Sequence, residues 1–102
     1  MSARRRQLIV RPDAQVDIRD ILLYTLARWS SEQRRRYRGD LDRAMRSLLI
    51  YPELGPSRND LFPGCRNLAI NEHVVFYTIA DNEIVVLRVL HGNQDPSGKV
   101  GI

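Results

Sequence analysis

Three observations predict an α+β fold in which a helical hairpin packs on one face of a small antiparallel sheet. Residues 13–49 carry apolar side chains at helical spacing, broken only at Ser30-Ser31-Glu32-Gln33. Residues 65–95 instead carry short apolar runs separated by polar turns, the pattern of an antiparallel meander. At 102 residues the chain supports one hydrophobic core and therefore one domain over 1–102, with 1–5 and 96–102 as loose tails.

The elements follow in order. Residues 6–11 form a short first strand around Leu8, Ile9 and Val10. Pro12 fits the first position of a helix, and Asp13 is favourable in its first turn. Ala14, Ile18, Ile21, Leu22, Thr25 and Trp29 then mark a first helix over 13–29, with Asp17, Arg19, Asp20 and Arg28 on its polar side. Leu23 and Leu26 widen its apolar surface, and Trp29 with Tyr24 reads as core or hairpin packing.

Ser30 and Gln33 stand at capping-box spacing and start a second helix. Its inward stripe is Tyr37, Leu41, Ala44, Met45, Leu48 and Leu49. Arg38 with Asp42, and Asp42 with Arg46, are i,i+4 pairs on an arginine-rich outer side, ordinarily a solvated helix face. Pro52 ends the helix. The stretch 53–63 is rich in turn formers, with Leu54, Leu61 and Phe62 apolar enough to pin it to the body.

Composition narrows the function classes. Hydrophobic residues make up 43% and charged residues 27%, a globular rather than disordered balance. The net charge of +4 is carried by fifteen arginines and one lysine, Lys99. That excess suits phosphate or carboxylate partners, or reflects genome composition alone. The apolar run after Arg4-Arg5-Arg6 is too short for a signal peptide or a membrane span, so a cytoplasmic protein is expected. Cys65 is the lone cysteine, which excludes an internal disulfide and a cysteine-based metal cluster and reads as a small buried residue. His73 and His91, far apart in the chain, do not make a metal site, and no cofactor is implied.

The last strand carries the functional clue. With period two, Val85, Leu87 and Val89 form one apolar face, and Ile84, Val86, Arg88 and Leu90 the other. A cation therefore stands among aliphatic side chains. Two helices cover one sheet face and not both. If Val85, Leu87 and Val89 face the helices, then Ile84, Val86 and Leu90, with part of 74–77, remain on an open apolar face that marks a protein-binding surface. The alternative is that loop 53–63 or the C-terminal tail folds over it.

The ordered set Asp17-Ile18, Ile21, Tyr24-Thr25, Trp29, Gln33, Tyr37, Tyr51-Pro52-Glu53-Leu54-Gly55, Pro63-Gly64-Cys65-Arg66, His73-Val74-Val75-Phe76-Tyr77 and Arg88-Val89-Leu90-His91-Gly92 resembles the ParE toxins of the ParE/RelE superfamily. The resemblance covers about residues 12–95. It implies a β-α-α-β-β-β fold and a type II toxin that poisons DNA gyrase. It also implies a ParD-like antitoxin that wraps the toxin and contacts operator DNA on its behalf, with no membrane involved. RelE-like members instead cut messenger RNA on the ribosome. Such cleavage needs a base, an acid and cations for the charged phosphorane, for which Arg66, Arg88 and His91 are the candidates. Arg88 and His91 are three residues apart, however, and no tyrosine follows Tyr77 while Lys99 is the sole lysine. The expectation is therefore a toxin that is not an enzyme, with Arg66, Phe76, Tyr77, Ile84, Val86, Arg88, Leu90 and His91 as candidates for binding antitoxin or target.

Overall fold

A computed structural model describes residues 6–28 and 30–101, without the side chains of 25–27; Trp29 lies outside the described residues. The chain runs β1 (Gln7–Val10), α1 (Pro12–Arg28), α2 (Ser31–Ile50), β2 (Arg66–Ile70), β3 (His73–Ile79) and β4 (Glu83–His91). Pro12 opens α1 as its fixed φ and missing N–H allow. The capping box forms: Ser30 Oγ accepts the Gln33 N–H at 3.2 Å, and Gln33 Oε1 accepts the Ser30 N–H at 3.0 Å.

The sheet order is β1-β4-β3-β2. β2, β3 and β4 form the expected antiparallel meander, but β1 joins β4 in parallel, so the sheet is mixed. Periodicity identifies a strand without saying which neighbour it pairs with. Here the helical hairpin carries the chain across the sheet face between β1 and the meander. Among the described residues no helix is long and apolar enough to cross a membrane.

Between hairpin and sheet the core joins Ala14 and Met45 to Val75, Val86 and Val89, while Leu48 packs with Tyr77 and Ile84. This corrects the strict alternation expected for β4. Tyr77 pairs with Val86 and Phe76 with Arg88, so Leu87 is an extra residue opposite a single step of β3, a β-bulge. The inward phase shifts from even to odd positions across it. Ile84 and Val86 before the bulge, and Val89 after it, lie under the helices. Tyr77, Ile84 and Val86, expected on an open face, are fully buried.

Nor is the opposite face open along its length. Cys65, Phe76, Leu90 and Val100 form a second core, flanked by Leu61, Phe62, Val74 and Leu87. The loop after α2 and the C-terminal segment supply the cover. Arg58 N–H donates to the Cys65 carbonyl at 2.7 Å, and Gly64 N–H to Asn59 Oδ1 at 2.9 Å, which holds the loop across the strands. Residues 96–100 are not a loose tail, since the Lys99 and Val100 N–H groups both donate to the Pro96 carbonyl and Val100 is only 5% exposed. Each such aliphatic side chain contributes roughly 1.5–3 kcal/mol when removed from water. Cys65 is fully buried, and burial pushes its thiol pKa up.

Candidate functional site

The anomalous cation of the sequence finds its partner on α1. Asp17, expected on the polar side of the helix, falls instead on the inward stripe of α1, at i+3 from Ala14 and one residue before Ile18, and its carboxylate meets Arg88 of β4. Arg88 Nε and Nη2 donate to the two carboxylate oxygens at 2.7 and 2.9 Å, and Nη1 donates to the Lys99 carbonyl at 3.2 Å. Asp17 also accepts the Val89 N–H at 2.9 Å. β1 pairs with β4 only through Val86, so the edge of β4 is free beyond it. Asp17 closes that edge at Val89, and Gln94 Oε1 closes it at the His91 N–H, 2.8 Å away. The Asp17 carboxylate raises the Arg88 pKa, keeping the guanidinium charged.

Arg66 is engaged at the other end of the meander. Its Nη1 donates to the Gly55 carbonyl at 2.7 Å and lies 3.5 Å from that of Glu53. The buried Tyr77 hydroxyl accepts the Gly55 N–H at 2.9 Å and donates to the Pro52 carbonyl at 2.7 Å. Tyr51-Pro52-Glu53-Leu54-Gly55 is thus a turn clamped by Arg66 and Tyr77. Glycine is required there by close approach, because a Cβ at Gly55 would stand 2.2 Å from the Asn67 carbonyl oxygen.

His91 belongs to a third group. It pairs across strands with His73, the rings meeting edge to face at 5.4 Å. Its Nδ1 accepts the Asn93 N–H at 3.1 Å, which leaves Nε2 to carry the proton, 3.7 Å from Glu72 Oε1. His73 Nδ1 is 2.5 Å from the Tyr37 hydroxyl, which also lies 3.2 Å from the Ile70 carbonyl. Burial, then the neighbouring charges of Glu72 and Asp40, pushes the Tyr37 pKa up to about 12. Burial and then His91 lower that of His73, against the pull of Glu72.

The three residues proposed for phosphoryl chemistry therefore do not all converge: Arg88 and His91 line one pocket with Asp17, Asp20, Tyr24 and His73, and Arg66 is not among its lining residues. Arg66 pairs with Tyr77 and His91 with His73, four residues apart along β3, roughly 13 Å at about 3.3 Å per residue. Arg88, between them, is bound to Asp17. Among the described residues no group of three histidine, cysteine or acidic side chains is placed to hold a metal. Of the remaining candidates, Phe76 and Leu90 are interior to the second core.

The exposed surface is elsewhere. Leu23 on α1 is 56% exposed and does not widen a buried face, the side chain of Leu26 lies outside the described residues, and Tyr24, expected in core or hairpin packing, is 61% exposed and lies against the Arg28 guanidinium. Ile50, Tyr51 and Leu54 project at the end of α2. A groove of about 570 Å³ runs between the helices, lined by Ile18, Leu22 and Leu23 and by Arg19, Arg34, Arg35 and Arg38. The sequence showed these arginines but not that four of them share one groove.

Fold and surface together define a small α+β protein that presents exposed apolar side chains and a basic groove. Comparison with known proteins then specifies the family. Residues 8–96 match the model of the ParE toxin of the type II toxin-antitoxin system parDE. The chain is 31% identical over 88 residues to Toxin ParE1 of Caulobacter vibrioides, covering 86% of this chain and 91% of that protein. It is 30% identical over 88 residues to Toxin ParE of Escherichia coli, covering 85% of each. A structure of the chromosomal ParDE system from P. aeruginosa superposes with a TM-score of 0.75 over 87% of this chain and 98% of that one, at 19% identity, a likeness of fold. The chain belongs to the ParE toxin family. It is the toxin of a type II toxin-antitoxin system, with an antitoxin as its partner.

Proposed function

We infer that this toxin acts by binding DNA gyrase and blocking replication, with no enzymatic step of its own, and that a ParD-like antitoxin neutralises it and supplies the contact to operator DNA. The observation that carries this reading is the capture of Arg88 by Asp17, with Arg66 held apart from the pocket that Arg88 and His91 share. Each is committed to a different structural task, the Gly55 turn, Asp17 and the strand exit, and the Arg88 guanidinium beside His91 is already neutralised, which leaves no free acid, base and cation set among these three. A protein without that set acts through its surface. Because the sheet is covered by its own loop and C-terminal segment, the exposed apolar side chains at the ends of the helices are the surface available to macromolecular partners.

Purified toxin added to gyrase and relaxed plasmid should inhibit supercoiling or accumulate enzyme-linked cleaved DNA, and the antitoxin should reverse the effect. Ribosome-dependent mRNA cleavage with no effect on gyrase would refute the reading in favour of the RelE-like alternative. Induction without growth arrest would refute toxicity itself.

A further inference from the structure

The arginines of α2 divide into two sets. Arg36, Arg43 and Arg46 reach the carboxylates of Glu32, Asp40 and Asp42. Arg34, Arg35 and Arg38 have no carboxylate partner among the described residues, and with Arg19 of α1 they line the groove between the helices. Asp42, at i+4 from Arg38, is bound to Arg46 instead, at 3.0 Å. Arg34 and Arg38 stand one turn apart, an arrangement that costs a few tenths of a kcal/mol in a helix. The positive end of the α2 dipole, at Ser31, opens on the same groove. Arg19 itself lies 3.5 Å from Asp20, so the uncompensated positive charge gathered in the groove is that of Arg34, Arg35 and Arg38.

The chemistry of the groove selects the anion. Ile18 and Leu22 on its floor are already partly buried, Ile18 against the main core, so only Leu23 offers much apolar surface to an amphipathic peptide. The guanidinium groups are suited to bidentate bonding with phosphate. Arg34, Arg35 and Arg38 are set along one helix and so match a rigid, regular row of phosphates better than a flexible strand. We propose that this groove binds the phosphate backbone of duplex DNA independently of sequence. The proposal concerns the chain and DNA alone. Where the gyrase reading also holds, it favours the DNA-bound enzyme over the free one.

The test is fluorescence anisotropy of a short labelled duplex titrated with the full chain at two salt concentrations. Three to four phosphate contacts give a slope of about −3 in log affinity against log salt, so raising salt from about 50 to 200 mM weakens binding roughly 40- to 150-fold. Combining Arg34→Gln, Arg35→Gln and Arg38→Gln should weaken binding and bring the slope towards about −1. The control combining Arg36→Gln, Arg43→Gln and Arg46→Gln removes the same charge from paired positions and should keep most of the affinity. Circular dichroism checks that both fold. Should the first not fold, replacement of the same three residues by lysine keeps the charge and removes the bidentate geometry, and should still weaken binding. The proposal is overturned by no binding at the lower salt, by equal losses in the two glutamine variants, by equal affinity for single-stranded RNA, or by polyglutamate binding the groove more tightly than DNA.

Discussion

Removing the Asp17 carboxylate is the most direct perturbation of the architecture. The Asp17 and Arg88 side chains are 13% and 26% exposed. Among the described residues, Asp17→Ala leaves the guanidinium with only the Lys99 carbonyl as hydrogen-bond acceptor and leaves the Val89 N–H on the β4 edge without its acceptor. Breaking a buried ion pair from one side costs about 3–5 kcal/mol, and an orphaned N–H about 1–3 kcal/mol. The pair is not fully dry, and the two costs overlap. A net loss of about 3 kcal/mol is therefore expected, lowering Tm by at least about 12 °C in a domain near 100 residues. Asp17→Asn retains an oxygen for the Val89 N–H and should lose about half as much. The assay is urea and thermal unfolding followed by circular dichroism, with Asp17→Leu, Arg88→Met and the double variant Asp17→Leu/Arg88→Met forming a closed cycle. The double variant should be more stable than either single change, because an apolar pair leaves no buried charge behind. A loss under about 1 kcal/mol for Asp17→Ala, or strict additivity in the cycle, would refute the role given to the pair.

Gly55→Ala should lower the urea midpoint by an amount equivalent to about 1–3 kcal/mol, since the Asn67 carbonyl and the Tyr77 ring must yield to the new Cβ. His73 is held neutral in the fold, so its contribution is complete above the unfolded pKa of about 6.5 and is lost as pH falls towards the lowered folded value. The unfolding free energy should decline over that window, and His73→Asn should flatten the decline. The opposite sign applies to Tyr37: its folded pKa of about 12 exceeds the unfolded value near 10, so stability should fall as pH rises between them, less so in Tyr37→Phe. His91→Gln should arrest growth on induction as fully as the parent, and loss of toxicity together with loss of an mRNA-cleaving activity, in a variant of unchanged Tm, would count against the binding mechanism.

Local signals specified most of the fold. The Pro12 start, the Ser30 and Gln33 capping box and the stripes through Ala14, Ile18 and Ile21 and through Tyr37, Leu41, Met45 and Leu48 appear where periodicity placed them. The site was less legible. Arg88 among aliphatic residues was visible and suggested chemistry, whereas Asp17 read as part of the polar side of α1 until the two were seen together. Hidden signals of this kind are recoverable, because an acid at i+3 from Ala14 and a cation inside a strand each demand a partner.

What the sequence by itself determined is the set of elements, their ends and the family, because capping, turn chemistry and side-chain periodicity are local and act whatever the rest of the chain does. What only the tertiary structure decided is which faces are covered and which charges are spent. One bulge at Leu87 exchanges the two faces of β4, a change that no alternation of residue types records. The loop and Val100 then close the second face through contacts distant in sequence, and Asp17 claims Arg88 from 71 residues away. Pairings at that separation follow from the packing of whole elements, and they turn a suspected active-site cation into a fastening of α1 to the sheet.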